Sequence, residues 1–200
     1  MDGFLFPHFP APKSLAQFAL FRKVENAAQL RKRIIGAAAL AGAKGEEERD
    51  AVNFAFIDAK LITSRLHLQT AIHQAILAFT QDSLRTKYVH SEILFYLNPT
   101  NNITEALRRY GISDTSTDMI VVRVGDASLP PSNAQELMKD VVIGTIVPFS
   151  ELEQVTDWGA VKKYHKLNSE AAVRDLKGEE ERIAIDRIVT STVAMKSVMQ

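Results

Sequence analysis

The sequence predicts an α+β fold in a single domain over residues 1–200, with a mixed β-sheet of about four strands covered by helices. A chain of 200 residues that is 46% hydrophobic is long enough to bury one substantial core. Four short segments are apolar without alternation, which is typical of strands covered on both faces. Between them, apolar residues recur every three or four positions, which is typical of helices packed on a core.

The strand candidates lie at 17–24, 53–57, 118–124 and 144–149. An arm at 4–12 precedes the first strand, and its prolines predict an irregular path. We expect three aromatic residues of this arm to pack on the body of the protein: Phe4, Phe6 and Phe9.

Capping residues and apolar periodicity together predict the helices. Thr63 or Ser64 caps the second of them, and Gly178 interrupts the last helical region. A solvated turn or short helix is expected at 45–50. The predicted helices span 26–42, 64–79, 86–97, 102–111, 131–141 and 179–199, with short helical turns at 151–155 and 160–164.

The stretch 85–112 encodes two consecutive helices. Asn98 precedes a proline and so ends the first helix. Asn102 and Glu105 have the spacing of a capping box for the second. Gly111 is suited to a left-handed position after its end.

Residues for covalent or metal chemistry are not brought together by any recognisable motif. The absence of cysteine excludes disulfides and thiol nucleophiles, and the five histidines lack metal-ligand spacing. Glycine-rich phosphate loops are also absent. We therefore expect a non-enzyme without metal or cofactor, with the histidines at surface or boundary positions. The alternative is an enzyme of unrecognised type with a pocket near Lys60, Arg65 and His67.

The charge pattern is uneven, although the 24 basic and 24 acidic residues give a net charge of zero. That balance excludes a nucleic-acid protein that is basic throughout, but not a local basic patch. Acidic residues dominate 126–160, and basic residues dominate 60–109. An ordinary mixed surface explains this as well as a phosphate-binding surface does. The candidate phosphate-binding residues are Lys60, Arg65, Arg85, Lys87, Arg108 and Arg109.

The predicted helix 179–199 has more apolar residues than docking to one core requires. Two interpretations remain open: the helix lies deep between other helices, or it keeps one face available for a partner. No segment approaches the ~20 apolar residues of a membrane span, and no secretory signal is recognised, so we expect no membrane association. The apolar or partly apolar residues are Ile183, Ile185, Ile188, Val189, Thr192, Val193, Met195, Val198 and Met199.

Four motifs give the chain a resemblance to a known family. They are Phe18-Ala-Leu-Phe-Arg-Lys-Val-Glu-Asn, Asn53-Phe-Ala-Phe-Ile-Asp, Ser91-Glu-Ile-Leu-Phe-Tyr-Leu-Asn-Pro-Thr-Asn-Asn-Ile-Thr-Glu-Ala-Leu and Val161-Lys-Lys-Tyr-His-Lys-Leu. With them, nearly the whole chain resembles the PRPK-binding protein family, the kinase-binding subunit of the EKC/KEOPS complex. The segments 37–50 and 171–182 are longer than in compact members of that family.

The resemblance implies a non-catalytic subunit that binds and stimulates the kinase-like ATPase subunit of the complex, and through it contacts the transferase subunit indirectly. It also implies recruitment of tRNA through its acceptor end, for formation of threonylcarbamoyladenosine next to the anticodon. Telomere maintenance, transcription, and a location in nucleus and cytoplasm are further expectations. A purely structural adaptor without RNA contact is an alternative. The expected kinase-binding residues are Ile185, Ile188, Val189 and Thr192.

Overall fold

The computed structural model describes residues 1–126, 128 and 130–198. The strands are β1 Asp2–Leu5, β2 Leu15–Arg22, β3 Ala55–Asp58, β4 Met119–Gly125 and β5 Thr145–Val147. The helices are α1 Ala27–Ala39, α2 Gly42–Ala51, α3 Arg65–Thr80, α4 Val89–Leu97, α5 Ile103–Tyr110, α6 Pro131–Val141, α7 Trp158–Tyr164, α8 Ala171–Arg174 and α9 Gly178–Met195. Short 3-10 helices lie at Ala11–Lys13, Ala59–Leu61, Phe149–Gln154 and Leu167–Ser169.

These elements divide into two compact units that are interleaved along the chain. The first unit consists of 1–58 and 111–149, and it contains the sheet with α1, α2 and α6. The second consists of 59–110 and the residues from 150 onward, and it contains the remaining helices. The sequence prediction of an α+β fold is confirmed.

The sheet of the first unit has the order β1-β2-β4-β3, and β5 also pairs with β2. The described residues thus form five strands rather than about four. Every described pairing is antiparallel, so the sheet is not mixed. Strands that are apolar on both faces favour a parallel sheet, but an antiparallel sheet with both faces covered produces the same pattern.

The central strand β2 is buried on both faces, as the sequence predicts. It pairs with β4 along its length, from Leu15 opposite Gly125 to Phe21 opposite Met119. Phe18 and Phe21 point to opposite faces because side chains alternate along a strand, and neither is exposed. One face packs with residues of α1 and α6 in a core that includes Leu30 and Met138.

The N-terminal arm is more regular than its prolines predict. Its first residues form β1, which pairs with β2 from Asp2 opposite Phe18 to Leu5 opposite Leu15. The Phe4 ring stacks on the Phe18 ring at 4.7 Å between centroids. The expectation that the arm packs through its aromatic residues is confirmed, because Phe4, Phe6 and Phe9 are all buried.

The second unit is built around α3, which packs against α4 and α9, while α4 packs against α5. The Ser64 hydroxyl caps α3 by accepting a hydrogen bond from the His67 backbone N–H at 3.0 Å. Ile72 and Ile76 of α3 are fully buried. Across the part of the chain that the structure describes, no helix is long and apolar enough to cross a lipid bilayer.

The stretch 85–112 forms two helices, with three local differences from the prediction. The first helix begins at Val89, because Thr86 directs its backbone N–H and hydroxyl to the Glu92 carboxylate instead. Asn102 caps α5 through Glu105 N–H at 3.0 Å, but the Glu105 carboxylate accepts from Asn98 and Thr100 and does not complete a capping box.

Gly111 does not adopt the left-handed conformation that was expected of it. Its backbone forms an antiparallel bridge with Ile57 instead. Here the glycine after the helix begins an extended segment instead of forming a left-handed cap.

Candidate partner-binding and nucleic-acid surfaces

The helix α9 fully buries one narrow stripe, while its other residues are partly buried or exposed. Ile185, Val189 and Val193 recur every four residues and are at most 1% exposed. They lie on the side of α9 that faces the core of the second unit, where α9 packs against α3. Both side chains are already covered within the protein, so the structure does not present Ile185 and Val189 for the kinase contact that the resemblance implies.

A shallow, open groove lies on α9 beside the buried stripe. Ile188 and Thr192, the other two expected kinase-binding residues, lie in this groove and are half-buried. Met195 extends the groove and is 52% exposed. The spare apolar face is therefore present, but it is carried by residues other than those of the buried stripe. Met199, which the sequence assigned to the same face, lies outside the described residues. We call the surface of Arg187, Ile188, Ser191, Thr192 and Met195 the α9 groove.

Three polar contacts hold α9 in place. The Thr63 hydroxyl donates to the Asp186 carboxylate at 2.6 Å, and the Gln74 amide donates to the Ala194 carbonyl at 3.0 Å. Lys162 of α7 forms an ion pair with Glu181 at 2.6 Å. Because these contacts are spread from the first to the last turn, the α9 groove is presented on a pre-positioned helix, which lowers the entropic cost of binding.

The six candidate phosphate-binding residues do not form one patch. Arg65 begins α3, whereas Arg85 and Lys87 follow its far end, and a helix of 16 residues is about 24 Å long. Arg85 and Lys87 are exposed, and so are Lys60 and Arg65. The structure thus separates the cations near the start of α3 from those beyond its end.

The Arg109 side chain is committed to contacts within the protein. Its Nη2 lies 2.7 Å from the Glu105 carboxylate, and its guanidinium stacks 4.5 Å from the centre of the Tyr164 ring. Only 19% of the side chain is exposed. The structure therefore engages Arg109 within the protein instead of presenting it to a phosphate, while its neighbour Arg108 is exposed.

Two lysines of α7 and its following turn join Arg108, and the sequence reasoning missed both. The Tyr110 hydroxyl and His165 Nε2 are 2.9 Å apart, so the end of α7 lies against the end of α5. Lys163 and Lys166 flank this contact in sequence and are exposed. Their signal was present in Val161-Lys-Lys-Tyr-His-Lys-Leu, but only contacts between distant segments bring the end of α7 to the end of α5, which carries Arg108. We call Arg108, Lys163 and Lys166 the α7 basic group.

The loop that carries Arg85 is anchored by a buried carboxylate. Glu92 is not exposed, and it accepts hydrogen bonds from the backbone N–H groups of Arg85 at 3.1 Å and Thr86 at 2.7 Å. The Thr86 hydroxyl donates to the same carboxylate at 2.6 Å. The backbone next to Lys87 is thereby ordered before any ligand binds.

His67 is not a surface or boundary residue, contrary to expectation, whereas His165 is partly exposed and fits the expectation. His67 is fully buried, and burial lowers its pKa to about 3, with the charge of His165 adding to the decrease. Burial also lowers the pKa of His165 to about 4, aided by Arg109. Both rings are therefore neutral at pH 7. His67 cannot reach a substrate from this position, so the alternative of a pocket that combines it with Lys60 and Arg65 is not supported.

The described residues contain no group of three or more histidine, aspartate or glutamate side chains that could hold a metal ion. Instead, the second unit has an open groove on one helix and exposed cations at the ends of three others. Features of this kind define a protein that binds other macromolecules.

Comparison with known proteins identifies the class more closely. The family model described as kinase binding protein CGI-121 matches residues 21–197. The chain belongs to this family of kinase-binding proteins.

Curated relatives match over nearly their whole length. The chain is 33% identical over 232 aligned positions to a protein of Cryptococcus neoformans var. neoformans, and the alignment covers 100% of both chains. It is 35% identical over 199 positions to a protein of Neurospora crassa, covering 90% of this chain and 91% of the relative. Both relatives are named as the CGI121 subunit of the EKC/KEOPS complex.

Proposed function

We propose that this chain is a non-catalytic EKC/KEOPS subunit that binds and stimulates the kinase-like ATPase subunit through the α9 groove. The observation that carries the proposal is the solvent-facing groove on a pre-positioned helix in a member of a kinase-binding family. Through the kinase-like subunit the chain contacts the transferase subunit indirectly. The same proposal extends to action in nucleus and cytoplasm, with telomere maintenance and transcription as further outputs.

Replacement of Ile188 tests the kinase contact. A charge at the centre of a desolvated interface removes a binding hot spot, so Ile188→Glu is expected to weaken binding by at least about 30-fold. The matched control is Ile183→Glu, which introduces the same charge at an exposed position on the same helix, outside the groove.

The measurement is isothermal titration calorimetry with the purified kinase-like subunit, with the circular dichroism spectrum as a check that each variant is folded. Equal affinity of the Ile188 and Ile183 variants would contradict the assignment of the groove. An Ile185→Glu variant does not serve as a test, because that side chain is buried and its replacement would disrupt the core.

We further propose that the second unit recruits tRNA by its acceptor end, for threonylcarbamoyladenosine formation next to the anticodon. The α7 basic group supplies one set of cations, with Lys60 and Arg65 at the start of α3. Arg85 and Lys87 supply a second set beyond the far end of α3. Cations near both ends of a helix about 24 Å long match a ligand with an extended phosphate backbone better than a small anion.

The salt dependence of tRNA binding tests this placement. Replacing two phosphate contacts reduces the slope of log K against log salt by about 1.4 to 1.8. We expect this reduction for the double variant Lys163→Gln, Lys166→Gln, and separately for Arg85→Gln, Lys87→Gln. The control is Lys32→Gln, Lys44→Gln, which removes two exposed positive charges from the first unit.

A pair whose removal leaves the slope unchanged does not contact phosphate. If neither pair changes the slope, the purely structural adaptor is favoured. A gel shift that compares intact tRNA with tRNA lacking its terminal nucleotides then tests the acceptor-end contact directly. Binding of the intact tRNA alone supports recruitment through that end.

A further inference from the structure

An exposed aromatic ring lies where the loop of Arg85 and Lys87 enters α4. Tyr88 is 44% exposed, more than any other phenylalanine, tyrosine or tryptophan that the structure describes. The Lys87 ammonium group lies 5.3 Å from the centre of the Tyr88 ring. A single exposed ring needs no explanation, but a ring beside exposed cations has the composition of a surface that binds single-stranded nucleic acid.

The backbone of Tyr88 is fixed at the start of α4. Its N–H donates to the Ser91 hydroxyl oxygen at 3.3 Å, and the Ser91 hydroxyl donates to the Tyr88 carbonyl at 2.9 Å. The preceding residues are anchored separately, because the N–H groups of Arg85 and Thr86 donate to the buried Glu92 carboxylate. The ring is therefore presented from an ordered segment, so little backbone entropy is lost when a ligand binds to it.

The ligand chemistry that fits this combination is an unpaired nucleotide. Every base has a flat face that can stack on an aromatic ring, and the phosphates on either side of the base are attracted to nearby cations. Bases inside a duplex are already stacked on their neighbours and paired, so they have no free face for a side chain. An exposed tyrosine beside two cations therefore favours a single-stranded segment over a double helix.

We propose that Tyr88 stacks on an unpaired base at the 3′ end of tRNA, while Arg85 and Lys87 bind the phosphates beside that base. This inference rests on the proposed function, in which tRNA is recruited by its acceptor end, and it adds contact with a base to the phosphate contacts proposed there. The Lys87 ammonium group lies against one face of the ring, so the base stacks on the other face. Stacking tolerates any base, so this contact orients the end of the tRNA without selecting its sequence.

Replacement of Tyr88 separates stacking from charge. Tyr88→Ala is expected to weaken tRNA binding by about 5- to 150-fold, the usual effect of removing one base–aromatic stack. Because this replacement removes no cation, the slope of log K against log salt is expected to stay unchanged. Tyr88→Phe keeps the ring and should restore binding. The control is Ile183→Ala, which removes an exposed apolar side chain from α9 and should change neither the affinity nor the slope.

Nuclear magnetic resonance of the wild-type protein observes the stack itself. The chain has four tyrosines, so selective labelling of tyrosine resolves the Tyr88 ring. A base stacked on the ring moves its proton resonances upfield, which contact with a phosphate alone does not do. The ligands compared are intact tRNA and tRNA lacking its terminal nucleotides. We expect the upfield shift, and the loss of affinity in Tyr88→Ala, with the intact tRNA alone.

Equal affinity of the wild-type protein and Tyr88→Ala for intact tRNA would overturn the proposal, and so would a reduced salt slope in this variant, which indicates displaced cations. An effect of the same size with the truncated tRNA would overturn the assignment to the 3′ end. If Tyr88→Ala fails to fold, the wild-type spectra decide, because tRNA binding without an upfield shift of the Tyr88 ring also overturns the stack. Failure of the wild-type protein to bind tRNA at all is a different result, and it refutes tRNA recruitment in the proposed function instead.

Discussion

Replacement of the buried Glu92 carboxylate is expected to loosen one loop, at residues 85–86. The partners of this carboxylate are the backbone N–H groups of Arg85 and Thr86 and the Thr86 hydroxyl. Hydrogen bonds to a charged acceptor contribute about 1.5–3 kcal/mol each, against about 1 kcal/mol for neutral pairs. Glu92→Gln keeps the size of the side chain, but it removes the charge and turns one acceptor atom into a donor facing an N–H group. We therefore expect a loss of about 3 kcal/mol in the free energy of opening of the 85–86 loop.

Amide hydrogen exchange measures this loss locally, because it reports opening of a segment without global unfolding. A loss of about 3 kcal/mol corresponds to exchange roughly 100-fold faster at Arg85 and Thr86. Glu170→Gln, at an exposed position in the same unit, is the control and should leave both amides unchanged. Unchanged protection of Arg85 and Thr86 in the Glu92→Gln variant would refute the reasoning that one carboxylate orders the loop.

Three further predictions concern stability. In the unfolded chain His67 binds a proton near pH 6.5, whereas burial lowers its pKa in the folded chain to about 3. The free energy of unfolding is therefore highest above about pH 6.5, and it falls by up to roughly 1.4 kcal/mol per pH unit below that pH. Urea titrations between pH 7 and pH 4.5 should show a shallower loss for His67→Asn, and equal slopes would contradict the buried neutral ring. Gly45→Ala should destabilise by about 1–3 kcal/mol, because its Cβ would lie 2.4 Å from the Leu40 carbonyl oxygen. At Gly36, inside α1, an added Cβ would meet no neighbouring side chain or other segment within 4 Å, so Gly36→Ala should stabilise by about 0.5–1 kcal/mol. A lower urea midpoint for Gly36→Ala would contradict that prediction, and an unchanged or higher midpoint for Gly45→Ala would contradict the other.

The sequence predicted correctly those elements that a few consecutive residues determine. The Ser64 cap, the apolar segments that form β2 and β4, and the end of α4 before Pro99 each depend on a few consecutive residues, and the structure has all of them. The predicted left-handed Gly111 failed because its conformation is set by pairing with Ile57, far away in sequence.

The candidate sites were harder to predict, because exposure of a side chain depends on which distant segment covers it. Arg108 and Arg109 are adjacent and identical in type, yet Glu105 and Tyr164 engage only the second. Periodicity left open whether α9 is covered on all sides or keeps an apolar face available. It could not tell Ile185 from Ile188, because that choice depends on where α3 lies.

The interleaving of the two units has a consequence for the order of events during synthesis. The partners β2 and β4 are separated by roughly a hundred residues, so the sheet must wait for the later strand to leave the ribosome. The apolar stripe of α3 likewise stays uncovered until α9 has been synthesised, because α9 supplies Ile185, Val189 and Val193. Throughout that interval apolar surface of both units stays open to aggregation and to chaperones. Neither unit can be obtained alone by cutting the chain once, since each consists of two segments with a segment of the other unit between them.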